Sequence, residues 1–236
     1  MEDLTNATVA ILAGGLGTRL RSVVADRPKV LVEVGSYPFL AYLLNQLQTF
    51  GFRNVVICTG YLGDQIQKKF GKKYKNLLIS YSQELSPLGT AGAIRLALPL
   101  LKSDTVMIMN GDSFCDANLR KFWRFHSSKG ADATLLLTKV SDTSRFGRVN
   151  IGRAGRIVSF EEKGKEGAGW INGGIYLISK SLLLKIPEKE AVSFEQEMFP
   201  TWINRDFYGY RSRGRFIDIG TAESYNLAKQ FFSAKL

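Results

Sequence analysis

The chain predicts an α/β fold, a Rossmann-like and mainly parallel mixed sheet flanked by helices. Three observations carry this reading. Short apolar runs alternate with helical patterns through the first half of the 236 residues, which is the signature of βαβ units. The first apolar run, Thr8 to Ala13, ends in Gly14-Gly15, so a buried strand delivers a glycine loop. The second half turns to hairpin-like and mixed signals, so the sheet is not doubly wound throughout.

Taken in order, Phe39 to Phe50 has helical spacing with Gly51 as its C-terminal cap. Asn54 to Thr59 is a buried strand, followed by Gly60 and a short amphipathic helix ending at Phe70. Leu77 to Tyr81 is a strand, and Ala91 to Leu101 is helical with Gly89-Thr90 at its start. Thr105 to Met109 is a strand that ends in Asn110-Gly111-Asp112, and Leu119 to Ser128 is a helix. Beyond it, Ala133 to Val140 reads as a strand, and Arg148 to Ile151 and Ile157 to Phe160 flank the hairpin signal Gly152 to Gly155. Trp170 to Ile178, Phe207 to Tyr210 and Arg215 to Ile219 are further strands, and Lys180 to Leu184, Glu195 to Trp202 and Ala222 to Phe232 are helices. No linker, repeat or low-complexity tract divides the chain. The expectation is one domain over 1–236, with a nucleotide-binding half over about 1–130 and a second half over about 131–236 that completes the cleft.

Composition narrows the function classes. With 45% hydrophobic and 22% charged residues, the chain is neither disordered, collagen-like nor a disulfide scaffold. Its 32 basic against 21 acidic residues give a net charge of +11, which suits a nucleic acid, an anionic membrane or a phosphorylated small molecule. Cys58 and Cys115 sit in apolar surroundings without metal-ligand spacing, as buried thiols in a reducing compartment do. A single histidine, His126, speaks against Ser-His-Asp chemistry and His-rich metal sites. MEDLTNATVAIL does not read as a signal peptide, and no run approaches the ~20 apolar residues of a membrane span.

Six constellations carry chemistry. The first is Leu12-Ala13-Gly14-Gly15-Leu16-Gly17-Thr18-Arg19-Leu20 with Arg27-Pro28-Lys29 after it. Glycines after a buried strand let backbone N–H groups approach an anion, while Arg19 adds a planar fork and Lys29 a mobile charge. It matches neither a Walker A loop nor the dinucleotide fingerprint, which needs glycine where Leu20 stands. The second is Asn110-Gly111-Asp112, where a carboxylate at a strand end either forms a turn or holds Mg²⁺. In the third, Phe216 to Thr221, Asp218 lies between apolar residues and either binds a metal or helps cap the next helix, as Thr221 also does. The fourth runs from Ser82 to Gly92. Its Glu84 matches the adjacent N1–H and N2–H donors of guanine, and Gln83 takes that role under a one-residue shift. The fifth, Phe160-Glu161-Glu162-Lys163, and the sixth, Trp170 to Tyr176 with Asn172 and Gly173, offer partners for sugar hydroxyls and a sugar phosphate.

Together, LAGGLGTRL, RPKVL, PLGTAGA, NGD, FEEK, NGGIY and FIDIGT resemble the sugar-1-phosphate nucleotidyltransferase family from about Ala10 to Thr221. Arg21 to Val24 and Asn110 to Phe114 look most like its manno-heptose 1-phosphate guanylyltransferases, which are similar to the mannose enzymes. The resemblance implies a nucleotide-diphospho-sugar transferase fold without the C-terminal β-helix of longer relatives. The implied reaction joins a nucleoside triphosphate, GTP by preference, to D-glycero-α-D-manno-heptose 1-phosphate, with release of pyrophosphate. Mannose, glucose or N-acetylmuramate 1-phosphate with another nucleotide are the alternatives. Residue by residue, Leu12, Ala13, Gly14, Gly15, Gly17, Thr18 and Arg19 are implied to hold the triphosphate, and Glu84, Gly89 and Thr90 the base. Arg19, Lys29, Asp112 and Asp218 are the implied catalytic set, with Mg²⁺ on Asp112 and Asp218. Gly111, Gly147, Glu161, Lys163, Asn172 and Gly173 are implied to hold the sugar phosphate. The expected setting is the cytoplasm, with no nucleic-acid or membrane partner, and a homodimer is left open.

Two rival readings compete. Lys68, Lys69, Lys72, Lys73 and Lys75, interleaved with Phe70 and Tyr74, form a candidate nucleic-acid surface, though such a cluster is more simply a solvated helix end. A regulatory subunit that binds without turnover is disfavoured by the intact Arg19, Lys29, Asp112 and Asp218.

Overall fold

Alternation along the strands sets the layers. The computed structural model describes residues 3–15, 17, 26–161, 163–164, 166–188 and 191–233. In its first strand, β1 (Thr8–Leu12), Val9 and Ile11 enter one buried cluster while Ala10 enters the other. A strand covered on both faces reads as a continuous apolar run, as TVAIL does.

The first half continues with β2 (Glu33–Val34), β3 (Tyr37–Pro38), α1 (Phe39–Phe50), β4 (Asn54–Thr59), α2 (Gly63–Phe70) and β5 (Lys73–Tyr74). Then come β6 (Leu77–Gln83), α3 (Gly89–Ala97), β7 (Thr105–Asn110), β8 (Ser113–Cys115) and α4 (Leu119–Lys129). The second half runs β9 (Ala133–Val140), β10 (Arg148–Ile151), β11 (Ile157–Glu161), β12 (Gly169–Ser179), α5 (Lys180–Leu183), α6 (Phe199–Trp202), β13 (Phe207–Arg211), β14 (Phe216–Asp218) and α7 (Ala222–Ser233). Eight strands form the main sheet in the order β13-β9-β12-β7-β1-β4-β6-β5. The inner strands β7, β1, β4 and β6 are parallel. In contrast, β12 is antiparallel to both its neighbours, and β5 forms a short antiparallel edge. The switch from parallel to mixed pairing thus falls where β12, of the second half, pairs with β7, of the first.

Helices cover both faces. In α1, Phe39, Leu40, Leu43, Leu44 and Leu47 fall on the buried stripe, and Gly51 closes the helix as a left-handed C-cap. With Phe122 of α4 and Phe232 of α7 they form one core. The other core holds Ile94 of α3, Leu182 of α5 and an aromatic group of Phe194, Phe199, Trp202 and Phe207.

Two helices differ from the sequence expectation, and proline accounts for both. The segment expected to run Ala91 to Leu101 begins at Gly89 and tightens into a 3₁₀ turn at Leu98–Leu100, around Pro99. The expected Glu195 to Trp202 helix is a π-helical turn, Phe194–Met198, followed by α6. Pro200 has no N–H to extend an α ladder back to Gln196. The short strands β2, β3, β5 and β8 were not expected, because two or three residues carry no period.

Both cysteines are free and buried, and burial pushes each thiol up to about 12. His126 is buried with Nδ1 2.8 Å from Thr134 Oγ1, and burial pushes it down to about 4. These groups are packing, as their sequence context suggested. Among the described residues, no helix is long and apolar enough to cross a membrane.

Candidate active site

Four parallel strands end at one edge of the sheet, and backbone hydrogen bonds keep their loops in register beyond it. Ala13 N–H donates to the Cys58 carbonyl at 2.8 Å, Glu84 N–H to Thr59 at 2.9 Å and Gly111 N–H to Leu12 at 2.8 Å. Above these loops lies a cleft of about 460 Å³. Leu12, Ala13, Gly14, Gly15 and Gly17 line it from the glycine loop. Lys29, Glu84, Gly89, Thr90 and Asp112 line it from later segments. Thr18, Arg19 and the 21–24 stretch lie outside the described residues, as does Glu162.

Gly111 does not line the cleft. A Cβ there would sit 2.5 Å from the Leu12 carbonyl oxygen, so only glycine lets the end of β7 press against β1. That contact sends the chain on to Asp112.

Two ion pairs stand here, Lys29 with Asp112 in the lining of the cleft and Arg145 with Asp218 beside it, outside that lining. Lys29 Nζ lies 2.6 Å from Asp112 Oδ2, and Arg145 Nη2 lies 3.1 Å from Asp218 Oδ1. Asp218 Oδ1 also accepts from Gly220 N–H at 2.7 Å and from the Ser224 hydroxyl at 3.1 Å. Of the two alternatives raised for Asp218, the structure shows the bracing of the turn into α7, and the cation facing its carboxylate is the Arg145 guanidinium. Thr221 caps α7 by accepting from Ser224 N–H at 3.2 Å. The antiparallel pairing of β8 with β14 aligns Asp218 with Ser113, and Ile219 N–H donates to the Asp112 carbonyl at 2.9 Å. Two acidic residues far apart in sequence thus stand on neighbouring backbones. Two carboxylates, each already facing a cation, fit the donor set that Mg²⁺ takes beside phosphate oxygens. Arg145 was missed from sequence. Its only sequence signal is its place in Ser144-Arg145-Phe146-Gly147, two residues before Gly147.

At one end of the cleft, Glu84 packs against the glycine loop. A Cβ on Gly14 or Gly60 would fall 2.8 or 2.9 Å from its Oε1. Its Oε2 accepts from Leu88 N–H at 3.3 Å, and burial raises its pKa above the usual carboxylate range. Gln83 instead ends β6, paired with Thr59, and is not part of the lining. Of the two residues, Glu84 is the one that lines the cleft. Gly89 and Thr90 do more than line the wall. Gly89 has φ +71°, and a Cβ on it would lie 2.5 Å from the Val192 carbonyl oxygen. That carbonyl accepts from Ala91 and Gly92 N–H, Val192 N–H donates to Leu88, and the Thr90 hydroxyl accepts from Phe194 N–H at 2.9 Å.

At the other end, Gly147 lies under the Glu161 carbonyl, and Glu161 Oε1 accepts from Asn150 at 2.7 Å. Lys163 follows on the same β10–β11 edge. Asn172 and Gly173 belong to a bulge in β12, where Asn172 faces Leu137 and Tyr176 faces Leu135. Asn172 Nδ2 donates to the Tyr176 hydroxyl at 2.9 Å and to Glu195 Oε1 at 3.1 Å, and Tyr176 donates on to Asn110 Oδ1 at 3.3 Å. Gly147, Glu161, Lys163, Asn172 and Gly173 do not line the main cleft, but Tyr176 and Glu195 do and so join that edge to it. Glu195 was also missed from sequence, hidden in what read as an ordinary amphipathic helix.

The family model for nucleotidyl transferases matches residues 8–235. The chain belongs to the nucleotidyl transferase family. This nucleotidyl transferase is 40% identical over 221 residues to the D-glycero-alpha-D-manno-heptose 1-phosphate guanylyltransferase of Aneurinibacillus thermoaerophilus, across 93% of this chain and 96% of that relative. The Campylobacter jejuni protein of the same name is 35% identical, across 91% and 95%. The mannose-1-phosphate guanylyltransferase of Mycobacterium tuberculosis is also 35% identical across 91% of this chain, but only 61% of its own length is matched. The crystal structure of HddC from Yersinia pseudotuberculosis superposes with a TM-score of 0.86 at 34% identity, over 96% of this chain and 99% of that one. A second crystal structure of HddC holds GMP-PN.

Proposed function

We propose that the chain transfers GMP from GTP to D-glycero-α-D-manno-heptose 1-phosphate, giving GDP-heptose and pyrophosphate. The observation that carries this is its identity to heptose guanylyltransferases along nearly their whole length. The cleft supports it through its layout. Glycine backbone and Lys29 stand beside Asp112, and a carboxylate suited to guanine stands at one end.

In this reading the sugar phosphate oxygen attacks the α-phosphorus in line, and pyrophosphate leaves from the opposite side. The nucleophile is already ionised at neutral pH, so no general base is needed. Catalysis is positioning plus charge neutralisation. The glycine loop and Arg19 hold the triphosphate, and Lys29 and Arg19 stabilise charge gathering on the leaving pyrophosphate. Asp112 and Asp218 would hold Mg²⁺, which would supply further neutralisation of the phosphates. Glu84 accepts from guanine N1–H and N2–H, and Glu161, Lys163 and Asn172 hold the sugar phosphate. GTP is a cytoplasmic substrate, so the reaction is placed in the cytoplasm.

A grid of pyrophosphate release tests this. It crosses GTP, CTP, UTP, ATP and dTTP with manno-heptose, mannose, glucose and N-acetylmuramate 1-phosphates in Mg²⁺. Release with GTP and the heptose is the expected result. Release with mannose 1-phosphate instead would favour the second reading, which the Mycobacterium tuberculosis relative supports. Silence across the grid would overturn turnover itself.

A further inference from the structure

The carboxylates in and beside the cleft fall into two kinds. Asp112 and Asp218 are each within 3.1 Å of a cationic nitrogen, of Lys29 and Arg145. Among the described residues, neither Glu84 nor Glu195 forms an ion pair. Glu84 accepts from a backbone N–H, and Glu195 accepts from the Asn172 amide. A bare carboxylate repels phosphate, so it stands where the ligand presents neutral donors. Glu84 meets that condition at the base end. Glu195, on the opposite wall, meets it where the sugar ring must lie.

We propose that Glu195 is a specificity-determining residue for the acceptor, accepting hydrogen bonds from hydroxyls on the ring of the sugar 1-phosphate. The inference rests on the sugar-phosphate reading of the cleft given above.

Three features prepare Glu195 for that role. Its backbone is fixed. The Ser193 hydroxyl accepts from Gln196 N–H, and Ser193 N–H donates to Glu197 Oε1, a reciprocal cap that sets the start of the π-helical turn. The segment is also anchored to the base loop through Val192 and Phe194, so the carboxylate does not drift relative to the nucleotide wall. Its side chain is aimed, because Asn172 holds Oε1 and is itself fixed by Tyr176 and by Gly174 N–H. Among the described residues Oε2 has no hydrogen-bond partner, so it remains for a ligand. The Glu195 side chain is solvent-exposed, open to an incoming ligand. The surrounding protein and the nearby Asp112 charge oppose ionisation, while Lys163 and the Asn172 amide favour it, and the net effect is upward.

The test compares wild type with Glu195→Gln and Glu195→Ala under Mg²⁺ and GTP. The substrates are the sugar 1-phosphate that the wild type turns over and its single-deoxy analogues. The expected result is a KM for the sugar phosphate raised by about 10- to 100-fold in Glu195→Ala and by less in Glu195→Gln, since one hydrogen bond to a charged acceptor is at stake. The KM for GTP stays within about twofold, as its contacts lie on the other wall. At least one deoxy analogue that the wild type penalises loses its penalty in both variants. A purely structural role for Glu195 would lower activity without erasing any one deoxy penalty. If every penalty survives, or if only the GTP KM moves, the proposal is wrong while the function stands. If the wild type releases no pyrophosphate with any sugar phosphate, the functional reading falls and this one with it.

Discussion

The two walls of the cleft are made from different materials. The wall formed by β1, β4, β6 and β7 is mostly backbone, with the side chains of Lys29, Glu84 and Asp112 set into it. Glycines sit at strand ends, and neighbouring loops hold one another through main-chain bonds. The facing wall, around β12 and the Phe194–Met198 turn, is side chain. A relay of Asn110, Tyr176, Asn172 and Glu195 crosses it. A triphosphate is much the same whichever base it carries, so a backbone cradle serves it. Sugars differ in the direction of single hydroxyls, and only side chains resolve that. Side chains therefore stand where chemistry demands discrimination.

The largest expected effect lies where the walls meet. Replacing Asp112 or Asp218 by Ala removes an anion that faces a fixed cation and leaves Lys29 or Arg145 without its partner. Turnover is expected to fall by about 10³-fold or more while the circular dichroism spectrum is unchanged. Near-normal pyrophosphate release from both variants would sever the carboxylates from the chemistry.

Next in size is the seam. Gly89→Ala puts a methyl 2.5 Å from the Val192 carbonyl at φ +71°. Backbone strain and overpacking together should cost about 2–4 kcal/mol in urea unfolding. Because the Val192 segment carries Glu195, KM should rise for both substrates at once, unlike the single-sided effects expected from either wall. A variant that unfolds normally and binds both substrates normally would show that the walls are independent.

The same contrast explains what was legible. Strands β1, β4 and β7 announce themselves as apolar runs, and the glycine loop and the Asn-Gly-Asp turn sit at their ends. The backbone wall is therefore local in sequence. The side-chain wall is not. Glu195 reaches the site only because Thr90 and Leu88 hold its segment from about a hundred residues away. Arg145 becomes relevant only when β14 pairs with β8 and brings Asp218 to it. The three-residue β8 leaves no periodic trace, so that pairing was unreadable although β14 had been read as a strand and each Asp had been singled out.

A smaller effect tests the support behind the side-chain wall. His126 packs beneath β9, the neighbour of β12, on the Thr134 hydroxyl. Burial holds its folded pKa at about 4, below the 6.5 of an exposed histidine. The unfolded chain then binds the extra proton first. Stability is full above pH 6.5, falls as pH drops toward 4, and loses nothing further below that from this group. Between pH 7 and pH 4.5 the loss attributable to His126 should be about 2–3 kcal/mol in urea unfolding. A His126→Gln variant should lack that part of the slope. An identical slope in the variant would assign the acid loss to other groups.

The finest distinction between the walls concerns Glu84, an ionisable side chain at the base end of the backbone wall. If it reads guanine, Glu84→Gln exchanges one carboxylate oxygen for an amide that donates toward guanine donors. The KM for GTP should rise by about 10- to 100-fold, and the preference for GTP over ATP should shrink to match. The sugar-phosphate KM should hold. The effect also has a pH signature. Burial raises the Glu84 pKa, so protonation begins at a higher pH than for an ordinary carboxylate. The ionised acceptor, and with it GTP affinity, is present at neutral pH and lost on acidification, and the Gln variant should show no such limb. A GTP KM that is flat with pH in wild type and unchanged in Glu84→Gln would mean that base selection rests on backbone alone.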